Sequence, residues 1–143
     1  MRGGNGSVSR EATGSGGAPF PLTALWHRAE PGAAVVDCHW HEEAEFLLVL
    51  EGQTLFQIGK ERFSVREGEA VFIHGGDIHA GYPLGGDGCR FFSVSFDMIL
   101  LDSAFSDRSR EEYVQPLLEG RRSLPARYTR DEAWSRNVLA ELD

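Results

Sequence analysis

Two short apolar runs flank a His-Trp-His triplet and an acidic turn in the sequence VVDCHWHEEAEFLLVLEG, residues 35–52. Runs of this length, rich in Val, Leu and Phe and bounded by turn residues, are typical of β-strands. We therefore predict one strand over Val35–His41 and a second, buried strand over Glu45–Leu50 that ends at Gly52.

The triplet places two imidazoles where they can act together. Residues two apart in a strand face the same side, so His39 and His41 converge while Trp40 faces away from them. Glu45 approaches the same point if the chain turns at 42–44. Imidazoles and a carboxylate suit a divalent first-row metal with open positions for water or ligand.

The rest of the middle of the chain also shows patterns typical of β-strands. Between Phe20 and Met98 short apolar runs are broken by Gly, Asp and Pro, and none shows a helical period. Gln53–Ile58 and Arg62–Arg66, joined by Gly59-Lys60, predict a hairpin, and Arg90–Asp97 predicts a closing strand. Phe63 and Val65 are expected to face inward, and Phe92, Val94 and Phe96 are expected to share one face of the closing strand. Many short strands joined by glycine turns indicate an all-β sandwich or barrel.

After Leu101 the pattern becomes helical. Ser109–Glu112 and Thr129–Glu132 have the form of capping boxes that begin helices. The second precedes residues that share one helical face, namely Trp134, Val138, Leu139 and Leu142. This helix has no stop signal before Asp143, so we expect it to continue in a longer parent protein.

Composition limits the class of protein. The 143 residues fit one domain, preceded by a flexible Gly/Ser-rich leader over 1–17; we place the β-barrel at 18–103 and the helical tail at 104–143. With 14 Lys and Arg against 22 Asp and Glu, the net charge of −8 argues against direct binding of nucleic acid by this chain. Hydrophobic residues at 41% and charged residues at 25% are typical of a soluble globular protein.

The sequence shows neither a membrane-length apolar run nor a secretory signal, so the expected location is cytoplasmic, with no membrane partner. The two cysteines, Cys38 and Cys89, are expected as free thiols.

Two further histidines, His74 and His79, follow some forty residues after the triplet. Spacing alone does not tie His79 to His39 and His41. The plainer alternative is that the triplet is a surface strand pair and His79 a turn residue.

A resemblance to the cupin superfamily bears on this choice. Its first motif is matched by Gly32, His39-x-His41, Glu45 and Gly52, and its second by Gly68, His74-x-Gly76 and His79. The departures are Gly32 one residue early, His74 where a proline is usual, and Pro83 in place of an asparagine. The resemblance implies a small cupin (double-stranded β-helix) barrel in which His39, His41, Glu45 and His79 hold one divalent transition metal (Zn, Ni, Fe or Mn) in the barrel mouth.

The sequence around the motifs is also similar to the N-terminal arm of AraC-type transcription regulators, as is the tail from Tyr113 to Pro125. In that family the barrel binds a small effector, often a sugar or related metabolite, and the following helices form a homodimer. A separate C-terminal domain, absent from this chain, binds DNA. The ligand site expected by this resemblance consists of His39, His41, Glu45, His74 and His79, with Trp40 and Tyr82 as further candidates.

A metal-dependent cupin enzyme, such as a dioxygenase or an isomerase, is the alternative. The four metal ligands would serve it equally well. No further acid or base stands out in the sequence, and a single-barrel enzyme does not need the C-terminal helices. We therefore expect a sensor domain with no catalytic residue.

Overall fold

The computed structural model describes residues 9–10 and 22–142. The strands in these residues are β1 (Ser9–Arg10), β2 (Leu22–Ala29), β3 (Val36–Trp40), β4 (Ala44–Ile58), β5 (Glu61–Arg66), β6 (Ala70–Ile73), β7 (His79–Pro83), β8 (Cys89–Phe96) and β9 (Arg127–Tyr128). The helices are α1 (Ile99–Ala104), α2 (Asp107–Ser109), α3 (Gln115–Leu118) and α4 (Ala133–Leu142), with a π-helical turn over Arg110–Val114 between α2 and α3. The predicted class, a mainly β barrel followed by helices, is confirmed.

Most of the predicted leader, 1–17, lies outside the described residues. The part that is described, Ser9–Arg10, forms a short strand parallel to β3.

Strand β4 connects two sheets. Its first half pairs with β6 and β8, and β8 also pairs with β2; its second half pairs with β5 and β7, and β7 also pairs with β3. The register shifts between Val49 and Glu51. The prediction that the strand ends at Gly52 is therefore wrong, because the chain bends there without leaving the sheet. At Gly52 φ is +81°, and a Cβ would lie 2.3 Å from the carbonyl oxygen of Gly88, so only glycine fits the bend.

Because β4 bends back on itself, both of its ends lie at one end of the barrel. Glu45, near its start, and Ile58, at its finish, both approach His79: Ile58 is its register partner on β7, and the Glu45 carboxylate is within 3.7 Å of its ring.

The core between the two sheets is apolar. Its buried members are Leu47, Val49, Phe56, Val65, Val71, Ile73, Cys89 and Phe91, with the half-buried Phe63 packed against them. The inward prediction for Phe63 and Val65 is thus confirmed. On β8 this core takes Cys89 and Phe91, so Phe92, Val94 and Phe96 share the opposite face of the strand.

A second apolar cluster lies beneath the C-terminal segment, on the opposite face of the sheet from the first core. It joins Phe46, Phe72 and Phe96 of the sheet to Tyr128 of β9 and Leu139 of α4. Strand β9 pairs with β6, an element that the sequence pattern did not reveal.

A helix follows Thr129–Glu132 as predicted, namely α4, in which Leu139 is buried and Trp134 is half exposed, but it begins only at Ala133, so the predicted start at Thr129 is wrong. The predicted start at Ser109 is wrong: α2 begins at Asp107, and Ser109 makes no capping hydrogen bond. In the part of the chain that the structure describes, no helix has the length and apolar character needed to cross a membrane.

Candidate metal and ligand site

Three imidazoles meet at one end of the barrel. Strands β3 and β7 pair with His39 opposite His79, and His41 follows directly after β3. One ring nitrogen from each of His39, His41 and His79 lies within 4.8 Å of the others. The rings pack edge to face, with centroids 4.4 Å apart for His39 and His79 and 4.9 Å apart for His41 and His79.

Each of these rings is oriented in the same way by its own strand or loop. The Nδ1 atom of each imidazole lies within hydrogen-bond distance of a backbone carbonyl two residues away. The accepting carbonyls belong to Asp37, Glu43 and Asp77. A ring that donates from Nδ1 keeps Nε2 for a ligand, which is the orientation that second-shell carbonyls give to metal-binding histidines.

Glu45 completes the cluster. Its Oε2 atom accepts a hydrogen bond of 2.9 Å from Nε2 of His41 and lies 3.7 Å from Nε2 of His79. The structure therefore brings the three predicted histidine ligands together and places the fourth predicted ligand, Glu45, against His41 and His79.

Two histidines of the cluster differ in the protonation state that their surroundings favour. The hydrogen bond to Glu45 raises the pKa of His41, which favours its charged form in the absence of a metal. Burial lowers the pKa of His79, which keeps that ring neutral with a lone pair on one nitrogen. The neutral ring is the form that binds metals.

The donor set fits a divalent transition metal. His79 is almost fully buried, and its Nε2 atom has no hydrogen-bond partner. A buried polar atom without a partner is costly, and a metal ion would satisfy it. Three imidazole nitrogens and one carboxylate oxygen suit Zn, Ni, Fe or Mn and leave further positions open.

His74 does not join the cluster. On β6, Ile73 faces the barrel core, whereas Phe72 and the following His74 face the C-terminal segment. The Nε2 atom of His74 accepts a hydrogen bond of 3.2 Å from the backbone N–H of Leu124. The expectation that His74 lies near the mouth of the barrel is therefore not met, because strand alternation turns it outward.

The two aromatic candidates also lie off the cluster. Trp40 is half buried and adjoins His39 in β3, so it faces the opposite side of the strand. Tyr82 is exposed, and the guanidinium of Arg62 lies 5.7 Å from its ring centroid. Tyr82 is three positions after His79 in β7, and an odd offset places it on the opposite, outer face.

The sequence reasoning missed a polar strip beside Glu45. Ser95 is the register partner of Glu45, and Ser93 is the partner of Leu47, so both serines share the inner face of β8. His27 of β2 stacks on Phe91 at 4.6 Å, with its Nε2 3.3 Å from the Ser93 hydroxyl. The alternation of Ser with Phe and Val in β8 could have indicated a polar face. The prediction instead used only the apolar residues, which lie on the other face.

A small antiparallel barrel with this histidine and glutamate arrangement at one end has the fold of the cupins. Within that class, the chain belongs to the family of AraC-like ligand binding domains, because the model of that family matches residues 27–138.

A regulator of Bacillus subtilis is similar to this chain in sequence. It is described as an uncharacterized HTH-type transcriptional regulator, YdeC, and is 33% identical over 107 residues, which are 73% of this chain. The match covers 35% of the regulator, so the chain spans about a third of the length of this relative.

Solved structures are also similar to this chain. A Bacillus halodurans protein of known crystal structure is 22% identical, with a TM-score of 0.51 over 53% of this chain and 62% of its own, which supports the fold. Oxalate decarboxylase of Bacillus subtilis, described with Mn(II) centres, is 29% identical with a TM-score of 0.49 over 62% of this chain and 23% of the enzyme.

Proposed function

We propose that this chain is the effector-sensing domain of an AraC-type transcription regulator and that it holds a divalent transition metal at His39, His41, Glu45 and His79. The observation that carries the metal is the shared geometry of the three imidazoles, each anchored through Nδ1, around a buried Nε2 that lacks a partner. The family supports the sensing role.

The protein residues have separate tasks in this proposal. When bound, the metal supplies a Lewis-acidic centre for an oxygen donor of the effector. The carbonyls two residues from each histidine hold the rings in place. The hydroxyl of Ser95, the register partner of Glu45, would hydrogen-bond an oxygen-rich molecule such as a sugar or a small hydroxylated or carboxylated metabolite.

The metal proposal is tested by titrating metal-depleted protein with Zn²⁺, Ni²⁺, Mn²⁺ and Fe²⁺ under anaerobic conditions. We expect one equivalent to bind and, at about 100 times Kd, to stabilise the fold by about 2.7 kcal/mol, which raises Tm by roughly 5 to 11 °C. His39→Gln should weaken binding by roughly tenfold or more. His27→Gln, a half-buried histidine outside the cluster, is the matched control and should bind as the wild type does. Equal binding by both variants would remove the cluster as the site.

The effector proposal is tested by calorimetry with a panel of sugars and small carboxylic and hydroxylated metabolites, using both metal-loaded and metal-depleted protein. A specific ligand should bind with a negative heat-capacity change and should lose affinity in Ser95→Val, which removes the hydroxyl beside Glu45. No binding by a folded protein across the panel would contradict the sensing role.

We also propose homodimerisation through the C-terminal helices. Large apolar side chains remain exposed there, namely Ile99, Phe105, Tyr113, Leu118 and Trp134, and such patches mark contact surfaces. Analytical ultracentrifugation should show a concentration-dependent dimer, which Tyr113→Lys and Leu118→Lys should weaken. DNA binding would belong to a separate domain of the parent protein, which would act in the cytoplasm.

A metal-dependent cupin enzyme, a dioxygenase or an isomerase, is the second candidate, because the three-His, one-Glu donor set is also one that catalysis can use. The two candidates differ in what happens to a ligand that binds. NMR of each binding metabolite, incubated with metal-loaded protein in the presence of oxygen, should show no conversion for a sensor. Metal-dependent product formation that is lost in His39→Gln would favour the enzyme.

A further inference from the structure

The loop after β6, together with His79 at the start of β7, spans residues 74–79 and connects two parts of the molecule. At its end lies His79, which belongs to the histidine cluster. At its start lies His74, whose Nε2 accepts the backbone N–H of Leu124 at 3.2 Å. The edge of the ring also packs on Phe72 at 4.8 Å, so His74 is held in one orientation.

The middle of this loop contacts the turn that connects His41 to Glu45. The N–H of Gly76 donates to the carbonyl of His41 at 2.7 Å. A Cβ at Gly75 would lie 2.1 Å from the carbonyl oxygen of Glu42, so the two backbones are in direct contact. Within the loop, the N–H of Asp77 donates to the carbonyl of His74. The loop is therefore a short, internally bonded connection between His74 and His79.

On the far side, Leu124 opens the segment that carries the last helix. Leu124 packs in the second apolar cluster, and the carbonyl of Ala126 accepts the N–H of Phe72 at 2.9 Å. Strand β9 then pairs with β6, and α4 follows. The position of residues 124–142 against the barrel is thus set in part at His74.

We infer that His74 is a positioning residue that couples the histidine cluster to the C-terminal segment, residues 124–142. Metal at His79 and docking of that segment stabilise each other through the loop 74–79, and such coupling acts equally in both directions. This inference rests on the proposed metal site and assigns it a route by which its occupancy reaches the helices.

The test uses the full 143-residue chain with Zn²⁺ as the probe and two readouts. The first is Zn²⁺ affinity, measured by competition with a chelating dye. The second is amide hydrogen exchange of residues 124–142, measured by mass spectrometry with and without Zn²⁺.

The variants separate hydrogen bonding from packing. His74→Leu removes the acceptor for Leu124, whereas His74→Gln retains an acceptor of similar reach. His27→Leu is the control for loss of a half-buried histidine elsewhere, and circular dichroism verifies that each variant folds.

In the wild type, Zn²⁺ should slow exchange in residues 124–142. In His74→Leu this protection should be lost and Zn²⁺ affinity should fall about fivefold, the equivalent of one net hydrogen bond. His74→Gln should restore both, and His27→Leu should change neither. Zn²⁺ binding that leaves exchange in the wild type unchanged, or that protects His74→Leu as fully as the wild type, would overturn the coupling and leave the metal site standing. Failure of the wild type to bind Zn²⁺ would overturn the metal site and the coupling with it.

Discussion

Replacement of Gly52 by alanine tests the bend in β4 that brings both ends of that strand to the histidine cluster. The left-handed backbone at φ +81° costs an L-residue about 1 to 2 kcal/mol. The new Cβ would also lie 2.3 Å from the oxygen of Gly88 and 3.4 Å from Cα of Cys89. Both contacts are with backbone, so relief requires a shift of β8 by roughly 1 Å, which costs about another 1 to 3 kcal/mol.

Gly52→Ala should therefore lower the free energy of unfolding by about 2 to 5 kcal/mol. Gly59→Ala is the matched control, because its φ is also positive, at +56°, but no atom lies within 4 Å of the added Cβ. It should lose only the backbone part, about 1 to 2 kcal/mol.

Urea unfolding at 25 °C, followed by circular dichroism and tryptophan fluorescence, measures both variants against the wild type. The midpoint should fall further for Gly52→Ala at an unchanged denaturant slope, and Tm should follow at roughly 2 to 4 °C per kcal/mol. Equal losses in the two variants would show that close packing of the bend against Gly88 does not limit the fold, and the reasoning would be refuted.

Three further predictions follow from the site and the core. Because the pKa of His41 is raised above its usual 6.5 by Glu45, the pair stabilises metal-free protein below that value and loses its effect as pH rises through the raised pKa. The unfolding free energies of wild type and Glu45→Gln should therefore differ by about 1 to 3 kcal/mol at about pH 6 and converge as the pH passes the raised pKa of His41. A difference that does not change with pH would contradict the pairing. Burial raises the pKa of the Cys89 thiol to about 11 while Cys38 is exposed, so a thiol reagent at about pH 8 should modify one cysteine in native protein and both in guanidinium chloride; rapid modification of both in native protein would show that Cys89 is accessible. Phe56 is fully buried, and Phe56→Ala should cost about 3 to 5 kcal/mol in urea unfolding, whereas a loss below 1 kcal/mol would place its ring outside the core.

Local patterns predicted a large part of this protein. Alternation in a strand placed His39 and His41 on one face, and the hairpin around Gly59 and the inward side chain of Val65 followed from the same period of two. Motif spacing connected His79 to them, although its role as a ligand is still a prediction. These inferences succeeded because each depends on residues close together in the chain or on a resemblance with fixed spacing.

The failures concern residues whose surroundings come from distant parts of the chain. His74 stands within the second motif, yet its partner is the backbone of Leu124, fifty residues later. Ser95 and Ser93 gain importance only because β8 pairs with the half of β4 that carries Glu45. Phe92 and Phe91 are equally apolar, and sequence alone did not indicate which face of β8 meets the core.

The sequence by itself determined that the protein is rich in strands, that His39 and His41 face the same side, that the net charge is negative, and that the chain resembles a sensor family. These properties follow from composition, from alternation with a period of two, and from the spacing of the motifs. Only the tertiary structure decided that β4 continues through Gly52, that three carbonyls orient three imidazoles, and that His74 leaves the cluster for the C-terminal segment. Those features depend on which strands pair and in which register, and register is set by contacts between segments far apart in the chain.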